Sequence, residues 1–403
     1  MYGEHGNRVQ TGGPRPGATA PGHALVLGDL DLGYPLREAG IPVTFMRPKD
    51  EPSRFSNAGV GWVEQPSAPK LGAGMLAAAR ALPGPTVLFV QEDHALQLIS
   101  RHRASLQPEL SYLLPEPEVV DALLDKGRFQ QLAAERGLPV PPAEIVATAG
   151  DVPAATELEL PVLVKPLVWQ LERLHADFGA GKAVVATTSA ELRAILDRVA
   201  RTYERVLVQR FIPGDETGVE SYHVYVDPDG RIAAEFTGRK IRTSPPEFGY
   251  STAVETTEEQ DVADLGRRVV RAFDVKGVAK VDFKRDQDGR LWLFEVNARF
   301  NLWHRVGAAA GCNIPALVFA DLTGRPRPAL THARPGVTWS RQPRDLLIAR
   351  EQGVGLVDYL RWLRTVDVVG GLRLSDPMPF LRGSLWLQAR DHAERRRNAG
   401  RAG

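Results

Sequence analysis

The sequence has a single cysteine in 403 residues, Cys312, which excludes an internal disulfide and a Cys/His zinc site. It also lacks an apolar run of the roughly 18 residues that a membrane-spanning helix needs. Fifty basic against forty-nine acidic residues give a formal net charge of +1, so no excess charge favours nucleic acid or an anionic membrane. We therefore expect a cytoplasmic protein with small-molecule partners, and the sequence leaves a homodimer open. Cys312 is expected to be a buried apolar side chain.

Two common nucleotide-binding loops are also missing. Residues 27–33, LGDLDLG, lack the G-x-G-x-x-G pattern of dinucleotide-binding proteins. The loop Leu167–Lys182 lacks the G-x-x-x-x-G-K-[ST] spacing of a P-loop. It nevertheless contains Gly179, Gly181 and Lys182, and backbone amides freed by glycines can bind phosphate oxygens. We interpret this loop as a candidate lid.

The first ordered part of the chain has the pattern of a doubly wound parallel sheet. A strand at ALVLG, residues 24–28, is followed by a loop, a helix that ends near Gly40, and a strand at Pro42–Met46. Another apolar strand is predicted at Thr86–Val90. The Gly- and Pro-rich residues before this part, Met1–Gly22, are expected to be a disordered leader.

Polar side chains follow two of these strands. Asp29 and Asp31 follow the first strand, and Glu92 to His94 follow the strand at Thr86–Val90. The carboxyl ends of parallel strands form the ligand crevice in such sheets, so these residues are candidate substrate contacts. Capping of the next helix is the favoured alternative for Asp93.

The stretch KVDFKRDQDGRLWLFEVNAR, Lys280 to Arg299, predicts a hairpin. Two strands, Ala279–Arg285 and Leu291–Asn297, flank the turn DQDG. Trp292, Phe294 and Val296 would share one face of the second strand, and Glu295 and Asn297 the other. Asp282 would then lie nearly opposite Glu295, at a cross-strand distance of about 5 Å, where two carboxylates repel unless a cation lies between them. A magnesium site and a solvated polar hairpin are both consistent with this pattern.

Other cations also follow apolar strands. Lys165 ends the strand Pro161–Lys165 and either extends to water or supplies charge to a phosphate. Arg239, Lys240 and Arg242 place three cations in four positions at the end of a strand, which is more usual for a solvated face. Helices are predicted at Ser189–Tyr203 and Glu258–Phe273.

The ordered combination of motifs resembles the ATP-grasp superfamily, and within it the carboxylate–amine ligases of the D-aspartate-ligase kind. The motifs are Lys126, Lys165, QRFIPGDE at 209–216, Lys240 and Arg242, VDF at 281–283 and FEVNAR at 294–299. The family often has E-x-N-P-R where this chain has Ala298. The resemblance covers residues 23–330.

The resemblance implies an α/β ATP-grasp fold, in which two α+β subdomains clasp ATP, preceded by a doubly wound parallel-sheet domain. It implies the domains 23–118 and 119–330, the second with a lid subdomain at about 140–210. The residues beyond it, 331–403, have the pattern of a helical C-terminal extension with a disordered basic tail. The cofactors would be ATP and two Mg²⁺ ions, for which Mn²⁺ can substitute.

The resemblance also assigns roles to residues. Nucleotide binding falls on Lys126, Lys165, Gln209, Arg210, Phe211, Ile212, Glu216, Lys240 and Arg242, and metal binding on Asp282, Glu295 and Asn297. Arg299 would stabilise the transferred phosphoryl group or an acyl phosphate, with Lys280 as a neighbouring cation. His304 is a candidate base for the incoming amine, although a structural role is favoured for a lone histidine on a partly apolar helix.

The activity implied is an ATP-dependent ligase that activates a carboxylate as an acyl phosphate and joins it to an amine, in natural-product or amino-acid metabolism. Its partners would be an amino-acid-like carboxylate and amine. Two alternatives stay open: phosphorylation of an enol or hydroxyl oxygen, and a nucleotide-binding regulator without catalysis.

Overall fold

The computed structural model describes residues 22–148, 158–167, 183–214, 216–245, 249–329 and 332–386. Nearly all of the predicted leader and of the candidate lid loop lie outside these residues, and so does the predicted basic tail. No helix in the described ranges is long and apolar enough to cross a membrane.

The N-terminal sheet has five parallel strands in the order β3-β2-β1-β4-β5, which confirms the doubly wound sheet. Alternate residues of β1 enter different cores: Ala24 and Val26 pack on one face, and Leu25 and Leu27 on the other. Both faces are therefore covered, as parallel sheets require. The elements are β1 (His23–Leu27), α1 (Leu30–Glu38), β2 (Val43–Arg47), β3 (Gly61–Glu64), α2 (Leu71–Ala81), β4 (Thr86–Val90), α3 (Asp93–Arg101), α4 (Arg103–Leu106) and β5 (Leu110–Ser111).

A small antiparallel sheet follows, with the order β6-β9-β7-β8. The apolar side chains predicted to form one face of a helix, Leu192, Ile195, Leu196 and Val199, are buried against this sheet. The elements are α5 (Pro117–Leu124), α6 (Lys126–Glu135), β6 (Ala143–Ala147), β7 (Val162–Pro166), β8 (Val184–Ala186), α7 (Ser189–Val199) and β9 (Arg205–Arg210).

The central sheet has seven strands in the order β14-β13-β10-β11-β12-β15-β16. One face packs through Tyr222 and Phe283 against α8 and α6, and the other through Phe236 and Val254 against α9, α10 and the N-terminal sheet. The elements are β10 (Val219–Val226), β11 (Ile232–Ser244), β12 (Tyr250–Thr257), α8 (Gln260–Ala272), β13 (Gly277–Arg285), β14 (Leu291–Asn297), α9 (His304–Ala309), α10 (Ile314–Thr323), β15 (Thr338–Arg341), α11 (Arg344–Glu351), α12 (Leu356–Leu363) and β16 (Val368–Gly370).

The C-terminal segment contains two helices, α11 and α12, as expected for a helical extension, and it also extends the central sheet. Three residues of β15, Thr338 to Ser340, pair with β12, and Trp339 is fully buried. Further on, buried Asp376 accepts hydrogen bonds from the Tyr34 hydroxyl at 3.0 Å, from the Ser56 hydroxyl and from the Asn57 backbone amide at 3.1 Å. The segment therefore connects the central sheet to the N-terminal domain. Cys312 is buried, as expected.

Candidate functional site

The hairpin of β13 and β14 has the predicted register. Lys280 pairs with Asn297, and Asp282 pairs with Glu295. On the far side of β13, Ser221 of β10 pairs with Asp282. The carboxylates at 282 and 295 therefore lie on neighbouring strands and on the same face of the central sheet.

A β-bulge at Phe294 changes which side chains of β14 share a face, so the predicted set of Trp292, Phe294 and Val296 is wrong. Asp282 pairs with Glu295 but the next residue, Phe283, pairs with Leu293, so Phe294 is the extra residue. Leu293 therefore packs in the core beside Val296. Strict alternation would have placed Phe294 on that face instead. The extra residue also places Trp292 on the same face as Glu295.

Four polar side chains, Lys280, Asp282, Glu295 and Asn297, form what we name the hairpin cluster. Asp282 is 8% exposed and accepts hydrogen bonds from the Ser221 hydroxyl at 2.5 Å and from the Lys280 ammonium at 2.8 Å. Glu295 is exposed. The cluster thus combines a buried, paired carboxylate with a second carboxylate that solvent reaches.

Lys165 of the small sheet faces this cluster. Its ammonium lies 5.4 Å from the centre of the Phe294 ring and donates to the Gln209 side chain at 2.7 Å. Burial lowers the pKa of Lys165 to about 8; the charge of Lys126 acts in the same direction, and Glu295 opposes it. The charges of the two lysines and Glu295 therefore interact across the space between the two sheets.

The end of β9 lies along the same space. Gln209 is held by Lys165 and by the Gln130 side chain at 3.1 Å, and the Arg210 guanidinium stacks 4.6 Å from the Trp292 ring. Ile212 is buried and Phe211 is half-buried. Glu216 begins a short 3-10 turn, and its side chain lies outside the described part of the structure.

Arg299 links the hairpin to the N-terminal sheet. Its guanidinium donates to both carboxylate oxygens of Asp93, at 2.5 and 3.0 Å, and to the Asn297 amide oxygen at 3.1 Å. The favoured interpretation of Asp93 as a helix cap is wrong, because α3 has no side-chain cap. Asp29 instead caps its own helix by accepting from the Asp31 amide.

A second bulge separates Lys240 from Arg242. Lys240 pairs with Val254, and Arg242 with the adjacent Ala253, so the two cations point to opposite faces of the central sheet. Val254 packs in the core on the hairpin-cluster face, which places Lys240 on that face. Arg242 forms a buried two-pronged ion pair with Asp345, at 2.9 and 2.7 Å. The structure does not bring Arg242 to the hairpin cluster.

His304 is fully buried, which corrects its interpretation as a candidate base. Its ring lies 5.2 Å from Phe300 and 6.3 Å from His223, and neither nitrogen has a hydrogen-bond partner among the described residues. Burial lowers the pKa of His304 to about 3, so it stays neutral and weakly basic at neutral pH. The structural role is the one that the packing supports.

Two residues near the site were missed by sequence reasoning. Ser221 is a site residue only because β10 lies beside β13, a pairing that no local pattern predicts. Tyr250 lies near Arg299, Asp93 and Glu295, whose charges act on it, and burial raises its pKa. Its position at the start of β12 gave no chemical signal in the sequence.

The side chains of the hairpin cluster offer oxygen donors, which are the ligands that magnesium prefers. Among the described residues no three His, Cys, Asp or Glu side chains form a metal-binding group. Asp282, Glu295 and Asn297 instead offer two carboxylates and an amide, all oxygen donors on one face. Hard cations bound together with phosphates need few protein ligands, and oxygen is the ligand they prefer.

Comparisons with known proteins agree with this geometry. Residues 132–319 match the family model described as the D-ala D-ala ligase C-terminus. The D-alanine–D-alanine ligase of Pseudomonas putida is 28% identical over 218 residues, covering 49% of this chain and 63% of the relative. The D-aspartate ligase of Enterococcus faecium is 27% identical over 223 residues, covering 53% of each. The chain thus spans less than two thirds of the length of these relatives.

Solved structures share the fold over a larger part of the chain. N5-carboxyaminoimidazole synthetase from Staphylococcus aureus, complexed with ADP, superposes with a TM-score of 0.60 at 13% identity, covering 78% of this chain and 80% of that one. Together with the family match at 132–319, this shared fold confirms the predicted resemblance of the chain to the ATP-grasp carboxylate–amine ligases.

Proposed function

We propose that this protein is an ATP-dependent ligase that activates a carboxylate as an acyl phosphate and joins it to an amine. The observation that carries the proposal is the arrangement of Lys165 on the small sheet opposite the hairpin cluster on the central sheet. Two sheets that present cations and carboxylates to one space suit a magnesium nucleotide held between them. The relatives at 27 and 28% identity are named as ligases of D-amino acids, which supports the reaction class.

The nucleotide would lie along the end of β9. Gln209 to Ile212 offer backbone groups and partly apolar side chains to adenine, and Glu216 follows at the position expected for the ribose hydroxyls. Lys126 and Lys165 would hold the phosphates, and Lys240 lies on the correct face to join them. Arg242 is excluded from this set because Asp345 holds it on the other face.

Asp282, Glu295 and Asn297 would hold Mg²⁺. Bound there, the metal would neutralise charge on the transferred phosphoryl group. Breaking the ion pair between Lys280 and Asp282, at 2.8 Å, would release the Asp282 oxygen for the metal and the Lys280 ammonium for phosphate. Their present pairing keeps both charges compensated inside the protein.

Arg299 is positioned for the second half of the reaction. Asp93 and Asn297 hold its guanidinium beside the cluster, where it can stabilise the oxyanion formed when the amine attacks the acyl phosphate. Because water would hydrolyse that intermediate, the space between the sheets must close during turnover.

An ADP-release assay tests the proposal. Carboxylic acids and amino acids are supplied in pairs with ATP and Mg²⁺, and we expect ADP only when a cognate pair is present. Hydroxylamine in place of the amine should give a hydroxamate, because it captures acyl phosphates. ADP release with no hydroxamate would favour phosphorylation of an enol or hydroxyl oxygen. ATP binding with no substrate-stimulated ADP release would favour the regulator and overturn the ligase.

A further inference from the structure

The chain crosses from the small sheet to the central sheet between β9 and β10, through residues 211–214, which we name the crossing segment. On the small-sheet side, the Phe211 amide donates to the carbonyl of Pro161, just before β7, at 3.0 Å. On the central-sheet side, the Lys284 ammonium of β13 donates to the Gly214 carbonyl at 2.6 Å. The crossing segment is thus tied to a different sheet at each end.

Lys284 lies on the same face of the central sheet as the hairpin cluster. It follows Asp282 by two positions on β13, so the two side chains point to the same side. Across the hairpin Lys284 pairs with Trp292, and it is 7% exposed. Burial of an ammonium is costly unless acceptors surround it. The bond to the Gly214 carbonyl therefore stabilises the lysine as well as the crossing segment.

Two glycines let the backbone approach Lys284 closely. Gly214 has a φ of 114°, a conformation that a residue with a side chain adopts only with strain. A Cβ on Gly214 would lie 3.4 Å from Cε of Lys284, and a Cβ on Gly218 would lie 3.7 Å from the same atom. The backbone therefore packs against the lysine side chain at both glycines.

A second contact ties the preceding part of the chain to the same place on the hairpin. The Arg210 guanidinium stacks 4.6 Å from the ring of Trp292, the residue that pairs with Lys284. The two contacts thus start from neighbouring residues and reach the chain on either side of Phe211 and Ile212. These are residues that the proposed function places against adenine.

We propose that Lys284 is a positioning residue for the nucleotide, which fixes the surface that contacts the base. The inference rests on the proposed function, since it needs ATP to bind along the end of β9, and it adds a residue to which that function gives no role. Lys284 acts through the backbone of Gly214. Because the crossing segment is already held, less of the chain has to be ordered when the base binds, and the affinity rises.

The test measures nucleotide binding to the full chain by titration calorimetry with Mg²⁺ present. Lys284→Met keeps the length of the side chain and removes the ammonium. We expect the Kd for ATP to rise about tenfold, the loss of a hydrogen bond to a charged group. The Kd for ADP should rise by the same factor. Inorganic tripolyphosphate should bind to the variant as it binds to the wild type, because it has no base.

Two further variants serve as controls. Lys284→Arg should recover part of the loss, because it keeps a donor for the Gly214 carbonyl. Lys276→Met, at the half-buried lysine just before β13, is the matched control and should leave all three affinities unchanged. An equal loss for tripolyphosphate in Lys284→Met would assign the lysine to the phosphates and overturn the positioning role. An unchanged Kd for ATP would also overturn it.

Turnover gives a second readout. In Lys284→Met the KM for ATP should rise with its Kd, while kcat at saturating ATP stays within about twofold, because the chemical step does not use the lysine. A general structural defect would lower kcat as well, and that result would contradict the inference.

A measurement without nucleotide separates this inference from the ligase proposal. Hydrogen exchange followed by mass spectrometry should be faster in the crossing segment of Lys284→Met and unchanged in α8. Equal exchange in the two proteins would overturn the inference. If the wild type binds ATP but releases no ADP with any substrate pair, the ligase proposal fails and the Kd test still decides the role of Lys284. If the wild type turns over and Lys284→Met binds ATP equally well, the ligase proposal stands and this inference fails.

Discussion

The central sheet carries a buried charged cluster on each face, and the two differ in how completely their charges are satisfied. On one face is the hairpin cluster. On the other is what we name the Asp345 cluster: Arg242, Thr252, Ser340, Asp345 and Tyr359. Asp345 is fully buried and accepts five hydrogen bonds, two from Arg242 and one each from Thr252, Ser340 and Tyr359. In the hairpin cluster Asp282 accepts two side-chain hydrogen bonds, and Glu295 is exposed.

This difference separates charges used for stability from charges available for binding. Every lone pair of Asp345 faces a donor within the protein, so a ligand would have to replace contacts that are already good. Asp282 accepts fewer side-chain hydrogen bonds than Asp345, and solvent reaches Glu295, so these two carboxylates suit the proposed metal site. Sequence alone could not distinguish the two clusters, because each contains an arginine or lysine on a strand and a carboxylate.

The largest effect is expected in the Asp345 cluster. Asp345→Ala removes the partner of a buried guanidinium and should lower the free energy of unfolding by about 3–5 kcal/mol. Urea unfolding followed by circular dichroism measures the loss. The double variant Arg242→Met/Asp345→Leu should regain only part of it, because apolar packing can replace the ion pair but the hydroxyls of Thr252, Ser340 and Tyr359 lose their acceptor. If the single variant is as stable as the wild type, the cluster does not stabilise the fold.

The hairpin cluster should show the opposite behaviour. Glu295→Gln removes a charge that solvent reaches, so we expect the unfolding temperature to stay unchanged and substrate-dependent ADP release to fall at least about 100-fold. Activity like that of the wild type would refute the metal-binding role of Glu295. Glu191→Gln, at another exposed carboxylate, serves as the activity control.

The lowered pKa of Lys165 predicts that the KM for ATP depends on pH. Its pKa is lowered to about 8, so it is charged at pH 7 and loses its proton as the pH rises through about 8. We expect the KM for ATP to rise by up to about tenfold between pH 7 and pH 9, since about one molecule in ten keeps the charge at pH 9. Lys165→Arg should remove this rise. A rise of the same size in Lys165→Arg would assign it to another group.

The smallest effect is expected where charges are paired in solvent. The ion pair of Arg361 and Asp358, at 2.7 Å, joins side chains that are 72% and 69% exposed. Arg361→Gln should change the free energy of unfolding by less than about 0.5 kcal/mol and leave the KM for ATP unchanged. A loss above about 1 kcal/mol would show that geometry and burial do not explain the difference between the two clusters.

Local pattern predicted much of this architecture. The alternation around DQDG was sufficient to predict the hairpin and to bring Asp282 close to Glu295, although the bulge at Phe294 sets the exact pairing. Local patterns also predicted α7, from its helix-spaced apolar residues, and the strands of the N-terminal sheet, from their apolar runs. In each case the signal lies within about twenty residues.

The rest depends on contacts that a local pattern does not contain. The bulges at Ile241 and Phe294 break strict alternation without any glycine or proline to mark them. Asp345 is 103 residues from Arg242, and Asp93 is 206 from Arg299. These long-range ion pairs determine that Lys240, and not Arg242, lies on the face of the hairpin cluster. They also explain why Asp93 pairs with Arg299 and does not cap a helix.

The hydrogen bonds of Asp376 imply an order of assembly during synthesis. Asp376 accepts hydrogen bonds from the hydroxyls of Tyr34 and Ser56, which precede it in the sequence by 342 and 320 residues. Tyr34 and Ser56 therefore leave the ribosome long before Asp376 does. The N-terminal sheet can form early from its own strands, but its join to the C-terminal segment waits until residue 376 has been translated. A nascent chain can therefore complete the N-terminal sheet long before the contacts that hold the C-terminal segment against it can form.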